Sequence, residues 1–321
     1  MVDINFDISI ILGVLVSFAI ANIIGPFVIK YLKILNFGQI ERKLGPKSHE
    51  KKEGTPTIGG IIFMIAILIT NLIFVKRFSN EAMICMYSLL IFGVVGFLDD
   101  ILKILKKDNE GLTSKQKMIL LIIVSGFFAC YAYNVCGSEI YIPIARVNFD
   151  LGWFYIPFII FFYIAVTNAT NFTDGLDGLL TSVTLIVVSF LCLVAFGLSY
   201  HTIAIFCGII IGGLLGFLRF NNYPARVIMG DTGSLAIGGV ICTICIVMKL
   251  PLIVIIIGGI YVVESLSVVI QILYYKRTKK RVFKMAPIHH HFELSGWPET
   301  KIVMVFSMTT VILCLIAFLT L

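Results

Sequence analysis

The feature that most constrains this chain is a series of long apolar runs, each bounded by polar or charged residues. A membrane-spanning helix needs about 20 apolar residues at a rise of about 1.5 Å per residue. On that basis the sequence predicts ten transmembrane helices, at about 8–30, 57–75, 81–98, 116–136, 153–168, 179–197, 202–218, 233–248, 252–274 and 301–320. The runs are continuous rather than alternating, which favours helices over the strands of a β-barrel.

Composition supports an all-α integral membrane protein built as a single polytopic domain, residues 1–321. The chain is 59% hydrophobic and 13% charged, whereas soluble domains of this size carry more charge. Its net charge of +7 would suggest nucleic acid in a soluble protein. Here the basic residues lie in short loops, so we expect no nucleic-acid partner. No basic residue precedes the first run, which therefore predicts a permanent span rather than a signal peptide.

The distribution of Lys and Arg predicts the orientation. The loops after odd-numbered runs, with the adjoining helix ends, hold all of the 25 basic residues except Lys76, Arg77, Arg146 and Lys249. Basic loops stay on the cytoplasmic side of a membrane. We therefore expect both termini on the outer face and a catalytic cleft on the cytoplasmic face.

Three smaller patterns concern packing and loop structure. Residues 137–152 predict a small β-hairpin on the outer membrane surface. The spacing of Gly208, Gly212 and Gly216 predicts close packing between helices. Cys242 and Cys245 form a C-x-x-C pattern, but their apolar surroundings favour helix packing over redox or metal chemistry.

The segment Asn168-Ala-Thr-Asn-Phe-Thr-Asp-Gly-Leu-Asp177 is the only predicted cytoplasmic connection without a Lys or Arg. Its polarity therefore indicates either a ligand site or a polar turn between helices. On one continuous helix Asn168 and Asn171 would share a face, and Asp177 would point away from Asn168. We predict a helix break at Gly175, with Asn168, Asn171 and Asp174 facing a ligand and Asp177 turned aside.

Two further acidic motifs fall on the same predicted face. Asp99 and Asp100 end an apolar run, and Lys103 would face both on a helix; a salt bridge alone would explain only one of the two carboxylates. Asp231 lies in a Gly-Asp-Thr-Gly sequence, which is weak evidence alone but stronger as a third acidic cluster. Together these carboxylates and lysines predict binding of Mg²⁺ and a pyrophosphate beside the membrane.

Other polar residues on this face leave two interpretations open. Thr57 begins the second run. The free backbone N–H groups of a helix start there would bind phosphate, or the segment would serve only as a helix cap and membrane anchor. Three consecutive histidines, 289–291, are poorly spaced to ligate one metal together, and contacts to phosphate or sugar fit better. Glu264 lies within a span and is either functional or structurally paired.

These features point to phosphoryl transfer from a soluble nucleotide-linked donor to a lipid acceptor. No Walker A sequence is present, which disfavours an ATP-driven pump. A transporter for nucleotide sugars or polyprenyl phosphate would place its site near the membrane midplane, whereas these charges gather at one face.

The ordered motifs resemble one family over nearly the whole chain. They are Gly-Thr-Pro-Thr-Ile-Gly-Gly, Asp-Asp-x-x-Lys, Asn-x-x-Asn-x-x-Asp-Gly-Leu-Asp-Gly, Met-Gly-Asp-Thr-Gly-Ser-Leu and Met-Ala-Pro-Ile-His-His-His-Phe-Glu. This set is similar to the phospho-N-acetylmuramoyl-pentapeptide transferases, of the polyprenyl-phosphate N-acetylhexosamine-1-phosphate transferase superfamily. The resemblance implies Mg²⁺-dependent transfer from UDP-MurNAc-pentapeptide to undecaprenyl phosphate in the bacterial cytoplasmic membrane, giving lipid I and UMP. It also suggests a homodimer.

The resemblance also implies roles for residues at matching positions. Asp231 would be the metal ligand, and Asp99, the candidate base, would handle the acceptor phosphate together with Asp100. The catalytic candidates also include Lys103 and His290. Residues implied in binding the substrates are Lys52, Thr57, Lys117, Asn168, Asn171, Asp174, Asp177, Asn221, Gly230, Gln271, His289 and His291.

Three questions stay open at the level of sequence. A sister enzyme that transfers N-acetylglucosamine-1-phosphate would share the acidic motifs, and mainly the histidine motif argues against it. Direct attack by the lipid phosphate is favoured over a covalent enzyme intermediate, because a phosphate dianion is already nucleophilic. Ile228 stands where the family commonly has Phe, so another contact would have to replace any stacking on a base.

Overall fold

A computed structural model describes residues 4–35, 54–75, 81–106 and 111–321. Within these ranges the chain forms twelve α-helices and one two-stranded sheet. The helices are α1 (Ile4–Ile34), α2 (Gly60–Phe74), α3 (Glu81–Lys106), α4 (Ser114–Cys136), α5 (Tyr155–Thr173), α6 (Leu179–Gly197), α7 (His201–Asn221), α8 (Gly230–Val247), α9 (Ile253–Ile257), α10 (Gly259–Thr278), α11 (Ile288–Glu293) and α12 (Glu299–Phe318).

Eight helices of the described chain are long and apolar enough to cross a membrane, which makes this a multi-pass membrane protein. They are α1, α3, α4, α5, α6, α7, α8 and α12. The two other predicted spans look different in the structure. Helix α2 is apolar but has only 15 residues. The run predicted at 252–274 is divided at Gly258 into α9 and α10, and α10 carries Glu264 and Gln271.

Small residues bring α1 and α7 together. A Cβ at Gly212 would collide with the carbonyl oxygen of Val14, and one at Gly208 would lie 2.9 Å from Ile10. The predicted packing role of this glycine series is therefore confirmed. Cys242 and Cys245 are buried in α8 and carry free thiols, which agrees with the packing interpretation of the C-x-x-C pattern.

Helix α8 lies at the centre of the bundle and is buried along almost its whole length. Its first turn is held tightly by neighbouring helices. A Cβ at Gly96 of α3 would collide with the backbone of Asp231, and one at Gly60 of α2 would collide with Gly233. The N-terminus of α8 is thus fixed by backbone contacts that only glycine permits.

The predicted hairpin is present as β1 (Glu139–Ile142) and β2 (Val147–Asp150), which pair antiparallel with Ile142 opposite Val147. Arg146, between the strands, donates a hydrogen bond of 2.6 Å to the carbonyl oxygen of Leu319. The hairpin therefore covers the C-terminal end of α12, where helix carbonyls lack partners within the helix.

Candidate functional site

Three aspartates from two helices form an acidic cluster, defined here as Asp99, Asp100 and Asp231. The first two lie near the end of α3, and Asp231 lies in the first turn of α8. One carboxylate oxygen from each lies within 4.8 Å of the others. Asp99 and Asp100 are each only 3% exposed. Three carboxylates this close repel one another unless cations compensate them.

Two lysines supply part of that compensation. The Nζ atom of Lys103 lies 2.7 Å from Asp99, 3.5 Å from Asp100 and 2.9 Å from Asp231, so it faces both residues of the adjacent pair as predicted. Lys117 lies 2.8 Å from Asp231. A capping box between Thr113 and Gln116 begins α4 and sets Lys117 in its first turn.

Asp100 fixes the start of α8. Its carboxylate accepts hydrogen bonds from the Thr232 backbone at 2.9 Å, the Thr232 hydroxyl at 2.7 Å and the Asp231 backbone at 3.2 Å. A negative charge at a helix N-terminus is favourable because the free N–H groups carry partial positive charge. Gly230 has a φ of +77°, and a Cβ there would lie 2.7 Å from the Asp100 carboxylate. Asp100 is thus mainly occupied with placing Asp231.

Asp99 and Asp231 retain more freedom for a ligand. One oxygen of Asp99 accepts a hydrogen bond from the backbone of Leu112 at 2.9 Å, and its other oxygen meets Lys103. The partners given for the Asp231 carboxylate among the described residues are side chains: Lys103, Lys117 and Asn171 donate to it, and the Asp99 carboxyl also contacts it. When a ligand binds, side-chain partners can move away more easily than backbone partners can.

The predicted helix break is confirmed. Helix α5 ends at Thr173 and α6 begins at Leu179, after Gly178 with a φ of +73°. We call the intervening residues 174–178 the helix break. Just before it, the Asn171 amide donates to the Asp231 carboxylate and to the Ser234 hydroxyl, at 2.8 Å each. Asn171 therefore joins the end of α5 to the acidic cluster.

Asp174 opens the helix break and accepts a hydrogen bond from the backbone N–H of Gly230. Burial raises the pKa of Asp174 well above its ordinary value, and the nearby charges of Asp231 and Asp100 raise it further. The position of Asp174 beside the Gly-Asp-Thr-Gly turn brings two of the predicted polar motifs together.

Asp177 points elsewhere, as expected. Its carboxylate accepts a hydrogen bond of 2.9 Å from the backbone of Ala225, and its own N–H donates to Glu299 at 2.6 Å. These bonds tie the helix break to the connection before α8 and to the start of α12. Asn168 donates to the carbonyl oxygen of Ile164 in its own helix at 2.7 Å. Direct substrate contacts by these two residues stay predictions.

Asn221 and Gln271 both use their amides to hold loops. Asn221 is 3% exposed, accepts a hydrogen bond from Thr181 and donates to the carbonyl oxygen of Val227. Gln271 accepts from the backbones of Val282 and Phe283 and donates back to Phe283. These contacts stabilise the loops, because side-chain amides satisfy loop backbone groups well. The donor contacts that the resemblance implies for both residues stay predictions.

The three histidines of α11 have three different partners. His289 is fully buried, with Nδ1 3.1 Å from the carboxylate of Glu264. Nδ1 of His290 lies 2.7 Å from Glu293, and Nδ1 of His291 accepts from the backbone of Lys284 at 3.1 Å. Of the two interpretations of Glu264, the structure shows pairing. The sequence did not indicate the partner, because the two residues lie on separate helices.

The remaining candidates lie near the α8 turn or outside the described residues. The hydroxyl of Thr57 would lie 2.9 Å from a Cβ at Gly230, so Thr57 adjoins this turn. Lys52 lies outside the described residues. Sequence reasoning did not single out Thr232 and Ser234, although both follow Asp231 within the same motif and bond to Asp100 and Asn171.

The chemistry of the acidic cluster fits a hard divalent cation. Mg²⁺ takes oxygen ligands and usually binds one or two carboxylates together with water and substrate phosphates. Asp99 and Asp231 provide such carboxylates with side-chain partners that can be displaced. The lysines at the same place are suited to phosphate oxygens. The cluster can therefore hold a metal-bound phosphate or pyrophosphate.

Comparison with known proteins gives close relatives over nearly the full length. The family model described as glycosyl transferase family 4 matches residues 82–249. The phospho-N-acetylmuramoyl-pentapeptide-transferase of Clostridium perfringens (strain 13 / Type A) is 57% identical over 312 residues, covering 97% of this chain and 98% of the relative. That of Clostridium kluyveri (strain NBRC 12016) is 57% identical over 315 residues, covering 98% and 99%. That of Clostridium novyi (strain NT) is 54% identical over 313 residues, covering 97% and 96%.

Proposed function

The chain belongs to the phospho-N-acetylmuramoyl-pentapeptide-transferase family, and from this premise we propose its substrates and mechanism. It is a phospho-sugar transferase of peptidoglycan synthesis. In our proposal it moves phospho-MurNAc-pentapeptide from UDP-MurNAc-pentapeptide to undecaprenyl phosphate, with Mg²⁺, and releases lipid I and UMP. The observation that carries this proposal is the acidic cluster with Lys103 and Lys117, formed where the ends of three long apolar helices meet.

In this proposal the acidic cluster binds the pyrophosphate of the donor through the metal. Asp231 is the principal ligand and Asp99 lies beside it, while Asp100 keeps Asp231 in place through the backbone of α8. Bound Mg²⁺ would neutralise charge on the phosphoryl oxygens and on the departing UMP. Lys103 and Lys117 turn from the carboxylates towards phosphate oxygens, for which an ammonium group is a suitable donor.

The acceptor phosphate attacks the donor directly. A phosphate dianion needs alignment and compensation of charge more than it needs a base. Asp99 is the group that would accept a proton if the acceptor arrives as a monoanion. Asn171 bonds to the Asp231 oxygen that the lysines leave free, and Asp174 bonds to the neighbouring Gly230. In this proposal both border the donor, and His290 and His291 contact its phosphate or sugar. A phospho-muramyl enzyme trapped without lipid acceptor would contradict direct attack.

The number of membrane crossings and the orientation of the chain are part of the same proposal. The chain would cross the membrane ten times, with α2 and α10 completing the set and both termini on the outer face. This orientation puts the acidic cluster on the cytoplasmic face of the bacterial cytoplasmic membrane, where a soluble UDP-linked donor is available. The exposed apolar faces of the long helices would contact membrane lipid and are compatible with a homodimer.

The test is UMP release by the purified protein supplied with Mg²⁺, undecaprenyl phosphate and one UDP-sugar at a time. We expect release with UDP-MurNAc-pentapeptide and none with UDP-N-acetylglucosamine. Release only with UDP-N-acetylglucosamine would identify the sister activity instead. Movement of either substrate across a vesicle membrane without UMP would indicate a transporter. Absence of UMP with UDP-MurNAc-pentapeptide would refute the proposal.

A further inference from the structure

Glu264 and His289 form a buried pair that the reaction described above does not use. Glu264 lies on α10 and His289 on α11, and both side chains have 0% exposure. Their contact, 3.1 Å between the Glu264 carboxylate and Nδ1 of His289, is too poorly aligned to count as a hydrogen bond. Neither side chain has another hydrogen-bond partner among the described residues. A buried polar group without a partner is costly, so each side chain depends on the other.

The opposite edge of His289 lies directly against the helix break. A Cβ at Gly175 would collide with Nε2 of this imidazole, so only glycine permits the approach. Gly175 follows Asp174, which accepts the backbone hydrogen bond from Gly230 beside Asp231. A short series of contacts thus runs from Glu264 through His289 to the turn that carries the acidic cluster.

His289 also influences the position of the other histidines. The rings of His289 and His290 lie 4.1 Å apart between centroids. Helix α11 has only six residues, too few to be stable without tertiary contacts. The Glu264–His289 contact is a buried attachment of this helix to α10, Phe292 packs against Phe306 of α12, and His291 bonds to the loop through Lys284.

We propose that Glu264 is a positioning residue for the transferase site. Its buried carboxylate holds the His289 imidazole against Gly175 and so sets α11, with His290 and His291, beside Asp174. This inference rests on the proposed function for its effect on turnover, but the contact between α10, α11 and the helix break stands independently of the substrate.

The experiment compares Glu264→Ala and Glu264→Gln with Tyr261→Phe in the full-length protein. Tyr261 lies one turn earlier on α10, is buried, and exchanges a hydrogen bond of 2.8 Å with Thr184, away from α11. Tyr261→Phe therefore removes a buried polar contact from the same helix without touching His289. The melting temperature of each variant is measured as well, so that unfolding of the protein is distinguished from displacement of α11.

We expect Glu264→Ala to lower kcat for UMP release about 100-fold, because misplacement of about 1 Å costs this much. Glu264→Gln should retain more activity, since it keeps the length of the side chain and an acceptor oxygen beside Nδ1 of His289. Tyr261→Phe should keep wild-type kcat. On a His289→Ala background, Glu264→Ala should add no further loss, because Glu264 acts through His289. Equal kinetics for Glu264→Ala and Tyr261→Phe, or additive losses in the double variant, would overturn the proposal.

Hydrogen exchange separates this inference from the proposed function. In the substrate-free protein, Glu264→Ala should speed amide exchange in residues 174–178 and 288–293, whereas Tyr261→Phe should leave both segments unchanged. That result would support the positioning role even if the wild-type protein released no UMP. Unchanged exchange in Glu264→Ala would refute it, whatever the activity assay shows.

Discussion

The acidic cluster and the histidine segment, residues 282–293, are held in place in different ways. In the cluster, helix ends are locked by glycine contacts and by Asp100, and the charged groups share several side-chain partners. In the histidine segment, the Nδ1 atoms of the three imidazoles lie against Glu264, Glu293 and the backbone of Lys284, and Gln271 holds the loop backbone. The first region has a rigid frame with displaceable charges, which suits binding and chemistry. The second depends on a few long-range contacts, which suits positioning.

The largest effect should come from neutralising Asp231, the carboxylate of the acidic cluster whose partners are side chains. Asp231→Asn should reduce UMP release by about 10³-fold or more, because the metal and the developing phosphate charge lose their main carboxylate. Asp150→Asn in β2 is the matched control, since Asp150 is an exposed carboxylate bonded to Ser138 and Gly152. It should keep full activity. An active, folded Asp231→Asn protein would remove Asp231 from the metal role.

Metal binding should distinguish the two regions without any substrate. Mg²⁺ should raise the melting temperature of the wild type, since a ligand at about 100 times its Kd adds about 2.7 kcal/mol to the free energy of unfolding. The rise should persist in Asp150→Asn and in Gln271→Ala but vanish in Asp231→Asn. Thermal unfolding with and without chelator measures it. An equal rise in Asp231→Asn would mean that the metal binds elsewhere.

Lys103 gives an intermediate effect. Lys103→Met removes the positive charge that offsets the carboxylates of Asp99 and Asp231. It also removes an ammonium group that would donate hydrogen bonds to phosphate oxygens, so kcat/KM should fall about 100-fold. Lys249→Met is its control, because Lys249 is an exposed lysine 3.6 Å from Glu139, and exposed pairs contribute little. The assay is UMP release at saturating and limiting donor. Equal activity of the two variants would show that Lys103 only balances charge.

The same contrast explains what the sequence could predict. The apolar runs predicted the long helices, and the carboxylates at their ends predicted the acidic cluster. A carboxylate at the edge of a membrane is costly, so it indicates a functional site. The break before α6 followed from polar residues that could not converge on one helix. The loop contacts of Asn221 and Gln271 were not foreseen, because a polar side chain in a motif indicates a site but not which loop backbone it also bonds to. The Glu264–His289 pair depends on how α10 packs against α11, which periodicity does not encode.

Two predicted spans show a similar limit. The length rule treats 57–75 and 252–274 as ordinary spans, but backbone geometry intervenes in both. Helix α2 starts only at Gly60. The backbone N–H groups of Gly59 and Gly60 donate to the carbonyl oxygens of Ile228 and Met229, so the start of this run supports the turn before α8. Gly258 interrupts the other run before α10. A hydropathy pattern does not show where an apolar run is interrupted or which of its residues also support a site.

The smallest effect should come from Asp174, which joins the two regions. Its pKa is raised in the folded protein, so the folded state keeps its proton at pH values where the unfolded chain has lost it. The stability that this residue contributes is therefore present below the ordinary Asp pKa and declines as pH rises towards the raised value. Asp174→Asn cannot ionise and escapes that decline.

Thermal unfolding at several pH values tests this sign. The melting temperature of Asp174→Asn relative to wild type should rise as pH increases, by a few degrees at most. Asp150 supplies the opposite case, because hydrogen bonds from Ser138 and Gly152 lower its pKa. Asp150→Asn should therefore lose stability relative to wild type above the ordinary Asp pKa, and the difference should shrink in acid. Parallel curves for the two variants would contradict the burial of Asp174 as the cause, and would leave the two regions without an electrostatic link through the helix break.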